Sequence, residues 1–249
     1  MTPSAPQVPA PAPPPDPHRP SPTSPGSADR DRGPLRKAVA QHIGILQDAY
    51  HKDSSQAVQA LARLRRGIGR QANETPDLWG LVGVEAFYAA WPEGRRPSDA
   101  EALRAERAAH VAVTLWALHQ QSNRAHRMHV GDGISLGTAV RRLMSGSDRD
   151  EAVQKRLLRA GTSTTFDVLG HRLRELVVLL RKAEIPLDYG LLAEQLVQWQ
   201  LPGGPRLVRQ AWGRSFHAYR RPADVGPSEN NASEAPRSGA ADNEPKDQT

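Results

Sequence analysis

The 249-residue chain has no cysteine. Disulfides, cysteine nucleophiles and thiolate zinc sites are therefore excluded. No uncharged apolar run approaches the length needed to span a membrane, and the N-terminus offers no continuous apolar segment of the kind a secretory leader uses. On these grounds the chain reads as soluble and cytoplasmic. Catalytic signatures are missing too. There is no glycine-rich phosphate loop, no GxSxG elbow and no HExxH pair, and the carboxylates are too scattered for a two-metal nuclease. The GDG at 131–133 follows no predicted strand and its glycine pattern is incomplete. A zinc site drawn from His119, His126 and His129 has no carboxylate or cysteine to complete it. No catalytic residue, metal or cofactor is expected.

Acidic charge is scarce where it matters. Between Pro34 and Pro222 there are 28 Lys and Arg against 18 Asp and Glu, a net +10. Residues 1–33 are neutral and residues 223–249 carry −4, which accounts for the overall +6. The excess thus sits on the part of the chain able to fold, and favours a polyanionic partner. Of the 33 basic residues 28 are arginine, whose planar fork suits bidentate phosphate contacts. A compositional bias toward Arg and Ala is the alternative reading of the ratio of Arg to Lys, but it does not explain the net excess.

What is present is helical periodicity between two low-complexity ends. Residues 1–33 are rich in Pro, Ala and Ser, and 223–249 are polar and acidic; neither stretch can bury a core, and both are expected to be disordered tails. The domain between them, 34–222, is predicted to be all-α. It reads as eight or nine helices in a compact bundle, divided into N-terminal helices (34–145) and a C-terminal bundle (146–222) that form either one body or two small subdomains. From Leu35 to Tyr50 the apolar stripe is Val39, Ile43, Leu46 and Tyr50. Ser54 or Ser55 caps the next helix, with Ala57, Leu61, Leu64 and Ile68 inside. Asp77 opens an apolar helix from Leu78 to Trp91, closed by Pro92, whose aromatics Trp79, Phe87, Tyr88 and Trp91 are assigned to the core. Ser98 to Glu101 is a capping box, and the HVAVTLWALHQQ that follows it is apolar nearly all round. That marks a central buried helix, with His110 and His119 packed and hydrogen-bonded. Asn123 to Gly133 is a loop.

The C-terminal stretch has the clearest faces. Phe166, Leu169, Leu173, Leu176, Val177 and Leu180 share one side of a helix, leaving His171, Arg174, Arg181 and Lys182 on the other. Asp188 caps a segment burying Leu191, Leu192, Leu196 and Trp199. Pro205 suits the first turn of a last helix, which turns Leu207, Val208, Trp212, Phe216 and Tyr219 inward and Arg206, Arg214 and His217 outward.

Basic side chains recur on the outer faces. On the second helix Arg63, Arg66 and Arg70 share one face and Arg65 lies at its edge, yet no Asp or Glu occurs between Ser54 and Asn73. A face kept only for solubility mixes signs through i,i+4 pairs, so this one points to phosphate contact. Arg141 and Arg142 are expected to turn outward from a helix whose Leu136, Val140 and Leu143 point in. Lys155, Arg156 and Arg159 do the same opposite Val153, Leu157 and Ala160. With His171, Arg174 and Arg181 these make up the candidate nucleic-acid-binding set.

Several short matches, taken in order, resemble one family. They are Leu61-Ala62-Arg63-Leu64-Arg65-Arg66-Gly67, Ala117-Leu118-His119-Gln120, His171-Arg172-Leu173-Arg174 and Leu179-Leu180-Arg181. Ile185-Pro186-Leu187-Asp188-Tyr189 comes next, then Leu192-Ala193-Glu194-Gln195-Leu196 with Trp199, and Val208-Arg209 before Trp212-Gly213-Arg214. From roughly Leu35 to Tyr219 the chain is similar to the CasB family, the small all-helical subunit of type I-E CRISPR surveillance complexes (Cascade). The resemblance implies a non-catalytic ribonucleoprotein subunit in antiviral defence, present as two copies head to tail. These copies bridge the guide-bearing backbone subunits and the large subunit of the complex. They contact CRISPR RNA, target DNA and the displaced strand of the R-loop, and no membrane. The chain departs from the family in its two long tails. A second reading of the residues is a helix-turn-helix regulator built from Leu187 to Phe216, although a link from Gln200 to Pro205 is long for the usual 3–4-residue turn.

Overall fold

The computed structural model describes residues 33–91, 96–146 and 149–219. The tails expected at 1–33 (Gly33 apart) and 223–249 lie outside these residues, as does Pro92. Among the described residues the chain is all-α. Its helices are α1 (Pro34–His51), α2 (Ser55–Arg66), α3 (Val84–Ala89), α4 (Asp99–Gln120), α5 (Leu136–Leu143), α6 (Arg149–Gly161), α7 (Phe166–Lys182), α8 (Tyr189–Trp199) and α9 (Gly204–Ala218). Two 3-10 turns, Ala72–Glu74 and Pro76–Leu78, precede α3.

The central helix α4 starts where the capping box predicts. Ser98 Oγ accepts from the Glu101 amide at 3.3 Å, and the Glu101 carboxylate accepts from the Ser98 amide at 2.9 Å. From Ala105 onward almost every residue of α4 is buried, including His110, Thr114, Trp116, His119 and Gln120. A helix apolar on all sides has to be covered on all sides. Helices α1, α2, α7 and α8 supply that cover, and one apolar cluster runs from Leu35 to Phe216. α7 buries the six residues of its predicted stripe and no others. Thr165 and Asp188 cap α7 and α8 by accepting from the amides of Val168 (3.3 Å) and Leu191 (2.8 Å). α9 packs closely on α5, and glycine makes this possible. A Cβ on Gly137 would lie 2.0 Å from the Trp212 carbonyl oxygen.

Several packing expectations are corrected. The helix predicted from Leu78 to Trp91 is interrupted at Gly80 and Gly83, whose φ angles of 78° and 74° lie in the left-handed region; only Val84–Ala89 stays helical. The interruption turns Trp79 out of the core, to 72% exposure, and Tyr88, also assigned to the core, is 39% exposed. On α9, Leu207 is 41% exposed, because Val208, Trp212 and Phe216 already fill the inner face. Leu191 on α8 is half-buried.

Several polar side chains inside this apolar shell are paired. Gln47 on α1 accepts from Trp116 Nε1 (3.2 Å) and the His129 amide (2.9 Å), and donates to the His129 carbonyl (3.1 Å). Gln120 holds the 123–128 loop in the same way, through Asn123, His126 and Met128. His129 Nδ1 accepts from the Tyr189 amide at 3.2 Å, and His119 Nδ1 lies 2.9 Å from the Tyr189 hydroxyl. Asp188, only 2% exposed, joins α8 to α1 through Arg36 at 2.9 Å. Removing one partner of such a buried pair costs about 3–5 kcal/mol.

Burial holds the core histidines neutral. Desolvation pushes His119 down from 6.5 to about 3, and lowers His110 and His129 as well. The unfolded chain takes up a proton at each near the ordinary value, whereas the folded chain does not. Their contribution to stability is therefore complete above 6.5 and is lost as pH falls from there toward the depressed folded values. Urea unfolding midpoints should drop between about pH 7.5 and about pH 5. His119→Gln should be less stable at the higher pH but show a shallower pH slope. Equal slopes in the variant and the parent would contradict this account.

Candidate nucleic-acid interface

The first basic group is built around a turn. α2 ends at Gly67, which is buried so tightly that a Cβ would meet Leu78 Cδ1 at 2.3 Å. The chain then turns through Gly69, at φ +79°, to Arg70. His110 pins this turn to α4: its Nε2 lies 3.1 Å from the Gly67 carbonyl and 3.0 Å from that of Arg70. Arg63 and Arg70 do not lie free along the face. They donate to the backbone carbonyls of Asp77 and Glu74, the latter at 2.6 Å. Their guanidinium groups therefore hold the 3-10 segment in place through backbone carbonyls, without pairing to a carboxylate of a described residue. Arg66 is exposed and Arg65 half-buried.

The second group is joined to the first. Gly69 faces the ring of His171, with Cε1 3.3 Å from the ideal Cβ position, so the α2 turn abuts the outer face of α7. His171 and Arg174 are exposed there, and Arg181 is half-buried near the far end. The 162–165 turn leads back to α6, where Arg159 is exposed and Arg156 is half-buried with its guanidinium on the Ala152 carbonyl at 3.1 Å. Lys155 is exposed but bound at 2.7 Å to Glu151.

Arg141 and Arg142 belong to a different place. They do not point outward as expected. Both are half-buried against α9, Arg141 over the Phe216 ring (5.9 Å) and Arg142 over that of Tyr219 (5.2 Å). α5 is so short and so close to α9 that its polar side has aromatic neighbours, and cation–π contact takes the charge.

Carboxylates sort these cations sharply. Among the described residues, Arg36, Arg107, Arg124, Arg127 and Arg172 are each in an ion pair with an Asp or Glu. Of the candidate set only Lys155 is. Arg63, Arg65, Arg66, Arg70, Arg141, Arg142, Arg156, Arg159, Arg174 and Arg181 have no carboxylate of a described residue within ion-pair distance. Arg206 and Arg214 on α9, outside the candidate set, are also exposed, with no acidic partner among the described residues. No group of three His, Asp or Glu side chains able to hold a metal occurs among the described residues. No described helix is long and apolar enough to cross a membrane.

The comparisons agree with the fold. The family model described as CRISPR-associated protein Cse2 matches residues 60–217. The chain belongs to the Cse2 family. It is 47% identical to CasB from Thermobifida fusca, whose crystal structure matches 74% of this chain and 98% of its own with a TM-score of 0.66. CasB from Thermus thermophilus matches in fold at 22% identity (TM-score 0.53, 75% of this chain, 99% of its own). So does a chain of a CRISPR RNA-guided surveillance complex at 22% identity (TM-score 0.50, 72% and 95%). No curated protein matches. The Cse2 match spans α8 and α9, the pair on which the regulator reading rested. The link between these helices is the four residues Gln200–Gly203, shorter than expected. What sets α9 apart from a groove-reading helix is its inner face, committed to α5.

The unpaired arginines of this Cse2-family fold lie outside its core, which sets their cost. Replacing Arg66 and Arg174 together by Ala should change unfolding free energy by no more than about 0.5 kcal/mol per site. Arg36→Ala, which strips a buried carboxylate of its partner, should cost several times more. Similar losses in the two variants, measured by chemical denaturation, would contradict this ordering.

Proposed function

We propose that the chain is a non-catalytic subunit of a CRISPR RNA-guided surveillance ribonucleoprotein. The observation that carries this is a Cse2-family fold whose α2, α6 and α7 faces hold arginines without carboxylate partners. Such a surface suits a phosphate backbone held without regard to sequence. In a complex of this kind sequence is read by the guide RNA, so the protein has no need of base-specific contacts. The chain acts there as one of two head-to-tail copies between the guide-bearing backbone subunits and the large subunit. It steadies the guide RNA–target DNA hybrid and the displaced DNA strand. R-loop formation is nearly balanced in energy, and a few phosphate contacts are enough to tip it.

The isolated protein should bind single-stranded DNA and RNA weakly and without sequence preference. Affinity should fall with salt at a log–log slope of about −0.7 per phosphate neutralised. Purified from its native cells, the chain should bring down a discrete short RNA. Tight selection of one duplex sequence at physiological salt, with no RNA recovered, would instead establish a sequence-specific regulator.

A further inference from the structure

The apolar surface displaced from the core by Gly80 and Gly83 is not scattered. Trp79, 72% exposed, and Leu103, 56% exposed, line one cleft of about 530 Å³ between the 3-10 turns and the first half of α4. Leu78 and Val82 form its floor, and two carboxylates line it, Glu85 and Glu106. Tyr88 donates to Glu106 at 2.5 Å, which fixes that carboxylate at the rim. Glu85 is exposed and in no ion pair with a described residue.

The charge around the cleft reverses that of the rest of the fold. The cleft's charged lining is Glu85, Glu106 and Arg107, inside a domain that is +10 overall. The cations nearest the cleft are committed: Arg107 pairs with Asp167 at 3.6 Å and lies over the Phe166 ring, and Arg63 and Arg70 hold the Asp77 and Glu74 carbonyls. A phosphate backbone is therefore repelled here, although it is attracted to α2 and α7. An exposed tryptophan in an apolar pocket with an acidic rim has the character of a protein-binding hot spot.

We propose that this cleft docks a segment of a different protein chain, one that inserts an apolar side chain flanked by Lys or Arg. This rests on the subunit reading above. A second copy packed cleft to cleft would bring two acidic rims together, which counts against a two-fold contact here.

The test uses the complete complex, co-expressed with its guide RNA and carrying a photoreactive benzoylphenylalanine at position 79. Irradiation should link position 79 to a peptide of another subunit that contains an apolar residue beside Lys or Arg. Trp79→Ala and Glu85→Lys should each reduce retention of the chain in the gel-filtered complex about tenfold, with thermal unfolding of the isolated chain unchanged. A link to RNA, DNA or only a second copy would overturn the proposal. So would parent-like retention of both variants with no protein adduct, and that result would leave the subunit reading standing. A parent chain that never enters the complex would overturn both.

Discussion

A helix with no polar face sets the terms for the rest of the molecule. From Ala108 to Gln120, α4 presents Ala, Val, Leu and Trp in every direction, and its polar side chains bond inside the fold, Thr114 through its hydroxyl and His119 through Nδ1. Such a helix is stable only if its neighbours surround it, so α1, α2, α7 and α8 each give their apolar stripe to α4 or to one another. Long charged side chains are then left with only the outward directions. The basic surface is in this sense a consequence of the core: a domain (34–222) with an excess of ten positive charges and a fully enclosed centre must display them.

The same enclosure explains why polar residues are so well matched inside. Gln47, Gln120, His129 and Asp188 tie the connecting segments to the helices that cover α4, and without them the loop from Asn123 to Gly133 would leave buried amides unpaired. Asp188 caps α8 and holds Arg36 at the same time, so a single carboxylate sets both where the helix starts and where it sits on α1.

Features governed by local periodicity were legible in the sequence. The α7 stripe, the caps at Ser98 and Asp188 and the all-round burial of α4 follow from spacing within one helix, and the structure agrees residue by residue. Features governed by tertiary competition were not. Trp79 has the composition of a core residue but lies beyond a backbone break made by two glycines. Leu207 is left outside because Val208, Trp212 and Phe216 already fill the inner face. Arg141 and Arg142 look solvent-facing on a helical wheel, and only the closeness of α9, allowed by Gly137, brings Phe216 and Tyr219 beneath them. The missing counter-charge on α2 was visible in the chain. Its contact with α7 through Gly69 and His171 was not, because it joins residues about a hundred positions apart.

On this proposal, arginines without carboxylate partners do the binding, while paired ones are ordinary surface. Strand opening in the assembled complex separates the two. Permanganate reactivity of the displaced strand should fall in Arg66→Ala/Arg174→Ala, with assembly intact. It should remain at the parent level in Arg127→Ala/Arg172→Ala, which removes the same charge from side chains already paired with Asp48 and Glu175. Equal opening by both variants, whether parent-like or impaired, would contradict the account.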